Sequence, residues 1–198
     1  RALRYYTVIS VDDHIVEPPD TFEGRVAQKF ADRAPRVVDT DDGGQTWLYD
    51  GQALPNVGFN AVVGRPVSEY GFEPTRFDEM RRGCWDPAAR VAAMDPAGIW
   101  ASANFPSQIT GFCGSVYSSC SDPELGQACV RAFNDWFHEE WASPWPERFI
   151  PVGIAYLGDP EVAAAEIRRN AERGFAAVSL PEQPHRLGYP SIHSGWWD

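Results

Sequence analysis

Apolar residues in this chain fall into two kinds of run. Short continuous stretches read as buried strands: Tyr6-Thr7-Val8-Ile9-Ser10, Ile99-Trp100-Ala101-Ser102-Ala103-Asn104-Phe105, Arg148 to Leu157, and Phe175 to Leu180. Between them lie segments with helical spacing. From about Pro123 to Trp141, Leu125, Cys129, Ala132, Phe133, Trp136 and Phe137 share one face, a stripe that reads as core packing. Asp86-Pro87, Asp122-Pro123 and Asp159-Pro160 each place a capping carboxylate before a Pro whose missing N–H costs nothing at the first helical position. Gly98 and Gly174 sit where a left-handed cap ends a helix, and Pro96 stops the first helix early. The predicted order is strand, long excursion, helix, strand, helix, strand, helix, strand. Helices alternating with apolar strands predict an α/β fold with a parallel sheet covered on its faces.

The excursion, about residues 17–85, is rich in Pro, Gly and Asp and breaks that rhythm. Thr46-Trp47-Leu48-Tyr49 followed by Asp50-Gly51 predicts a hairpin inside it. A long insertion leaving the C-terminal end of a first strand is where α/β enzymes build substrate pockets, and it also suits a decorative loop or an oligomer contact.

The 198 residues are enough for one domain with a substantial core. With 43% hydrophobic residues, 13% aromatic and eight Trp, the chain reads as a packed globular protein. A formal charge of −11 argues against nucleic acid and anionic membrane surfaces as partners, since both need basic patches. No apolar run approaches the roughly 20 residues that span a bilayer. Cys84, Cys113, Cys120 and Cys129 follow neither a zinc-ribbon spacing nor a disulfide framework, so reduced thiols and a cytoplasmic location are expected. Cys113, in the Gly111-Phe112-Cys113-Gly114-Ser115 loop, is expected to be exposed, but no basic neighbour lowers its pKa for nucleophilic work.

Candidate chemistry gathers in Val11-Asp12-Asp13-His14-Ile15-Val16-Glu17-Pro18-Pro19-Asp20. Side chains two apart on a strand share a face, so Asp12 and His14 can close on one target while Asp13 points away. A carboxylate with an imidazole suits a divalent metal, and it also suits a buried His hydrogen-bonded by a neighbouring acid.

Taken together, the Asp12-x-His14 end of strand one, Glu17-Pro18-Pro19-Asp20 and the Met94 to Gly98 helix end resemble the amidohydrolase-related family. So do Asn104-Phe105-Pro106-Ser107, Arg148-Phe149-Ile150-Pro151, the helix opening at Asp159-Pro160, and Ser191-Ile192-His193-Ser194-Gly195. That superfamily branch includes aminocarboxymuconate-semialdehyde decarboxylase and the resorcylate-type decarboxylases. The resemblance implies a (β/α)8 barrel with a metal at the C-terminal ends of its strands. Asp12 stands where the usual His-x-His motif has its first His, which favours oxygen-preferring metals and leaves Zn, Mn and Fe open for one or two divalent ions.

Such a barrel takes about 250 residues. The resemblance therefore implies that residues 1–198 form an N-terminal half of about four βα units. The family's later metal-binding His and catalytic Asp would lie beyond Asp198. A half barrel leaves an open edge and unpacked inner faces, so a C-terminal half, a complementary chain or a homo-oligomer is expected. Arg65 and Arg76 are the basic candidates for a substrate carboxylate, Asn104 for a substrate hydrogen bond or a cap on the strand–loop junction, His185 for substrate or metal, and His193 for a lid or for support of a ligand. His138 reads as a surface or packing residue on the middle helix. The aromatic supply of the excursion (Trp47, Tyr49, Phe59, Tyr70, Phe72) suits an aromatic substrate and equally suits a core. Three functions stay open: a metal-dependent hydrolase or decarboxylase, an iron oxygenase on the same barrel, and a non-catalytic half barrel that binds a partner.

Overall fold

The first strand, β1 (Val8–His14), leads into an antiparallel sheet formed by β2 (Arg36–Asp39), β3 (Gln45–Tyr49) and β4 (Gln52–Leu54). The structure is a computed structural model and describes residues 6–58, 61–70 and 74–197. There follow α1 (Pro87–Met94), β5 (Ile99–Phe105), the single turn α2 (Ser115–Ser118) and α3 (Pro123–Trp136), which runs on as a π-helical segment over Phe137–Ala142. The chain then forms β6 (Phe149–Ile150), β7 (Val152–Gly153), α4 (Pro160–Glu172) and β8 (Ala177–Val178). β1 pairs in parallel with β5, β5 with β6, and β7 with β8. The parallel strands thus follow chain order within each of two sheets, β1-β5-β6 and β7-β8.

The caps fall where the sequence puts them. Asp86 accepts from Ala89 N–H, Asp122 from Glu124 and Leu125 N–H, and Asp159 from Glu161 and Val162 N–H. The β3–β4 hairpin turns at Asp50 (φ 49°) and Gly51 (φ 76°), the two positive-φ positions of a primed turn.

The third strand departs from expectation. A continuous strand was predicted over Arg148 to Leu157, yet only β6 and β7 pair, on either side of Pro151. Pro has no N–H for the ladder, and the break lets β6 pair towards β5 while β7 pairs towards β8. Beyond Gly153 a side chain replaces the strand partner. Asn134 donates to the Ile154 carbonyl at 3.0 Å, accepts from its N–H at 3.0 Å, and donates to Glu166 at 3.1 Å. The fourth strand also shrinks, to two residues. After β8 the chain makes only the 3-10 turn Pro184–Leu187, so four complete strand–helix units are not seen among the described residues.

The core lies between the strands and α3, where Leu125, Cys129, Phe133, Trp136 and Phe137 are buried as the stripe predicts. The excursion shares this core. Phe22 and Tyr49 meet Tyr117 edge-on at 5.8 and 5.5 Å, and Trp47 packs on Phe22. β1 and β5 are also open to solvent in part: Val8, Ile9 and Val11 of β1 and Trp100 of β5 are exposed. No helix among the described residues is long and apolar enough to cross a membrane.

Replacing Asn134 strands the paired Ile154 backbone groups in the interior, while Glu166 keeps its bonds from Arg131 and Arg169. Asn134→Ala is expected to lower stability by about 2–4 kcal/mol, read by urea unfolding. A loss below 1 kcal/mol would show that water takes over those bonds.

Candidate metal centre

The end of β1 carries a bulge. Ser10 pairs with Ser102 but Asp13 pairs with Asn104, so the segment between holds one extra residue. Ser10 and Asp13, three apart, therefore share the covered face. Ser10 donates to Asp13 at 2.8 Å and Ser102 at 2.7 Å, which engages both carboxylate oxygens. Asp12 and His14 point the other way, as their spacing predicts. Asp12 Oδ1 lies 3.9 Å from His14 Nε2, with the two side chains 88% and 60% exposed.

The imidazole is held from behind. His14 Nδ1 lies 3.2 Å from the Pro106 carbonyl, which accepts only if Nδ1 carries the proton. That tautomer leaves the Nε2 lone pair facing Asp12, the arrangement by which a backbone carbonyl orients a metal-binding His. Arg90, on α1, donates to the His14 carbonyl at 2.7 Å and to the Gly83 carbonyl at 2.5 Å. Burial pulls its pKa down and the Asp13 charge opposes that.

Pro106 is itself fixed by Glu17, a residue whose importance the sequence does not announce. Its carboxylate is fully buried. It accepts from Ser107 N–H at 3.2 Å, from the Ser107 hydroxyl, and from the Thr110 hydroxyl at 2.5 Å. Thr110 also meets the buried Tyr117 hydroxyl at 3.2 Å. Burial raises the Glu17 pKa and the hydrogen bonds from Ser107 and Thr110 only partly offset it. The signal available in sequence was an acid directly before Pro18-Pro19, joined to the apolar pair Ile15-Val16.

A cavity of about 690 Å³ opens beside the strand end, bordered by Asp13, His14, Arg81, Arg90, Ser107 and Phe112. The other candidate residues stand elsewhere. Asn104 is buried, donates to Ser102 at 2.8 Å and accepts from Trp141 at 3.0 Å, so its amide is engaged in the helix-side layer. Arg65 donates to the Glu79 carbonyl, while Arg76 is held by Asp39, Asp78 and the Gly43 carbonyl on the excursion. His185 and His193 are exposed in the C-terminal turns. His138 lies 3.0 Å from the Arg173 carbonyl and stacks on Phe175, a packing role as expected. Trp47 and Tyr49 are core and Tyr70 is exposed, while Phe59 and Phe72 lie outside the described residues. Cys113 is fully buried rather than exposed, because its side chain packs with Ala155 and Leu157. Burial pushes its thiol up to about 12.

The donors fit a divalent ion: one carboxylate oxygen and one imidazole nitrogen on a rigid strand end. Among the described residues no group of three or more His, Cys, Asp or Glu could hold a metal, so this segment offers two ligands.

Comparison with known proteins fixes the family. A family model described as amidohydrolase matches residues 18–196. The chain belongs to the amidohydrolase family. The match begins just after His14, so the metal-centre reading rests on the geometry above. Among solved structures, an amidohydrolase from Mycobacterium avium subsp. paratuberculosis K-10 is 26% identical with a TM-score of 0.66, covering 89% of this chain and 50% of its own. A dihydroxybenzoic acid decarboxylase from Polaromonas sp. JS666, solved with manganese and 2-nitroresorcinol, is 20% identical with a TM-score of 0.50, over 87% and 37% of the two chains. The 5-carboxyvanillate decarboxylase of Novosphingobium aromaticivorans DSM 12444, complexed with manganese and 4-hydroxy-3-methoxy-5-nitrobenzoic acid, is 19% identical with a TM-score of 0.52, over 87% and 41%. The two decarboxylases share the fold. The chain spans half or less of the length of these structures.

Because Glu17 titrates higher folded than unfolded, the native state holds its proton more tightly. Its contribution to stability is full below the unfolded pKa and is lost as the pH rises through the folded value. Glu17→Gln removes that fall. The stability of the variant relative to the parent, from urea unfolding at steps from pH 4 to pH 8, is therefore expected to climb with pH. A flat difference would refute a raised Glu17 pKa.

Proposed function

We propose that Asp12 and His14 supply a carboxylate and an imidazole to the divalent-metal site of an amidohydrolase-type enzyme, a hydrolase or a carboxy-lyase. The observation that carries this reading is the 3.9 Å approach of Asp12 Oδ1 and His14 Nε2, with Nδ1 tied to the Pro106 carbonyl. An ion bound there supplies Lewis acidity, towards an amide, ester or lactone carbonyl or towards a substrate carboxylate. Manganese is the first ion to test, since the two decarboxylases of like fold carry it.

The work of this chain is positioning. His14 presents Nε2 because Pro106 takes the Nδ1 proton, and Glu17 holds Ser107 and with it Pro106. Arg90 steadies the strand-end carbonyl. The substrate is a small aromatic or carboxylate-bearing molecule, for which Arg81 and Arg90 at the cavity are better placed than Arg65 and Arg76. Further ligands and the acid–base group come from a segment or chain that covers the exposed β1 face. The exposure of Val8, Ile9, Val11 and Trp100 supports such a partner.

Titrating the chain with Mn2+ and reading free Mn2+ by electron paramagnetic resonance tests the assignment. One ion per chain is expected. Asp12→Ala and His14→Ala should each weaken binding about tenfold or more, with circular dichroism unchanged, while Asp13→Asn should bind like the parent. Equal affinity in His14→Ala and the parent would overturn the assignment.

A further inference from the structure

The loop leaving β5 holds an aromatic ring out in the open by means that look costly for packing alone. Phe112 is 55% exposed and borders the cavity next to His14. The residues around it are pinned. Cys113 has φ 54°, a left-handed conformation that a non-Gly residue adopts at a cost, and its side chain is fully buried. Gly111 and Gly114 flank the pair at φ 70° and 81°. A Cβ on Gly111 would meet the Ser115 hydroxyl at 2.6 Å and Val116 at 2.9 Å, and one on Gly114 would meet Ile154 at 3.2 Å. The loop has no room to swing Phe112 inward, since Cys113 fills the interior position. Strained backbone that fixes an exposed side chain beside a cavity is a recurrent mark of a binding element.

The ring is also aligned with the candidate metal centre. Phe112 stacks on Phe105 at 6.4 Å with a 25° tilt, and Phe105 lies 6.0 Å from the His14 imidazole. His14, Phe105 and Phe112 thus form a row of rings, with His14 and Phe112 bordering the cavity and Phe105 between them.

We propose that Phe112, backed by Phe105, is the specificity-determining wall of the substrate cavity and selects a planar aromatic ring over a saturated one of similar size and charge. The proposal rests on the metal-centre reading for the ring's place beside a reaction site, but ring selection can be measured without metal. A stacked ring contact beyond simple burial corresponds to a preference of about three- to tenfold.

The test compares benzoate with cyclohexanecarboxylate by ligand-observed NMR titration of the metal-free chain, alongside Mn2+ affinity by electron paramagnetic resonance. The parent is expected to prefer benzoate at least threefold. Phe112→Leu, which keeps apolar bulk, should bring the ratio close to one, and Phe112→Tyr, which keeps the ring, should retain it. Mn2+ affinity should be the same in all three. No preference in the parent, or an unchanged preference in Phe112→Leu, would overturn the proposal. Ring selection that depends on Phe112 without any Mn2+ binding would support the wall and sink the metal centre. Mn2+ binding with no ring selection would do the reverse.

Discussion

The arrangement of the strand ends depends on the burial of one carboxylate. Glu17 leaves β1 and enters the protein interior, where a charge is expensive unless it is well paired. Its partners, Ser107 and Thr110, all come from the loop leaving β5. The carboxylate therefore ties two loops that are about 90 residues apart in sequence. Ser107 cannot shift without breaking two of its bonds, and Pro106 cannot shift without Ser107. The carbonyl that orients His14 is fixed at one remove by Glu17. The same loop carries Gly111 to Gly114, and with them Phe112.

Most of the architecture was legible because it is written locally. Each Asp-Pro pair specifies a cap through geometry that needs no tertiary contact, and the α3 stripe has the helical period. The Asp50-Gly51 turn is equally local, since positive φ at two adjacent positions limits the residues that fit. The limits of the third strand were not legible. Pro151 was visible, but whether a Pro ends a strand or only divides its partners depends on what pairs on each side. Here Asn134, from a helix about 20 residues earlier, takes the place of a strand at Ile154. That is a tertiary fact with no sequence period.

The site divides in the same way. Asp12 and His14 were legible from spacing, and their common face follows from the pleat. The bulge between Ser10 and Asp13 was not, because it shows only as a register difference against β5. Arg65 and Arg76 looked available in a sequence where their partners were unknown. The structure places them against the Glu79 carbonyl and against Asp39 and Asp78. Asn104 ended a strand and looked like a substrate contact, yet the outward alternation of β5 turns its amide to Trp141.

The two faces of β1 differ in how their polar groups are met. On the helix side every polar group met along the strand is answered: Asp13 by two hydroxyls, Ser102 by Asp13 and Asn104, and Asn104 by Trp141. On the other side a carboxylate and an oriented imidazole face each other at 3.9 Å, beyond hydrogen-bonding distance and largely exposed. Packing does not require that pair, and surface solubility does not require the Pro106 bond that orients it. Orientation of one ring nitrogen by a backbone carbonyl is how metal-binding imidazoles are commonly held, and here the other nitrogen is exposed beside a carboxylate. That asymmetry across a single strand, more than the Asp-x-His pattern itself, is what makes the end of β1 a candidate site.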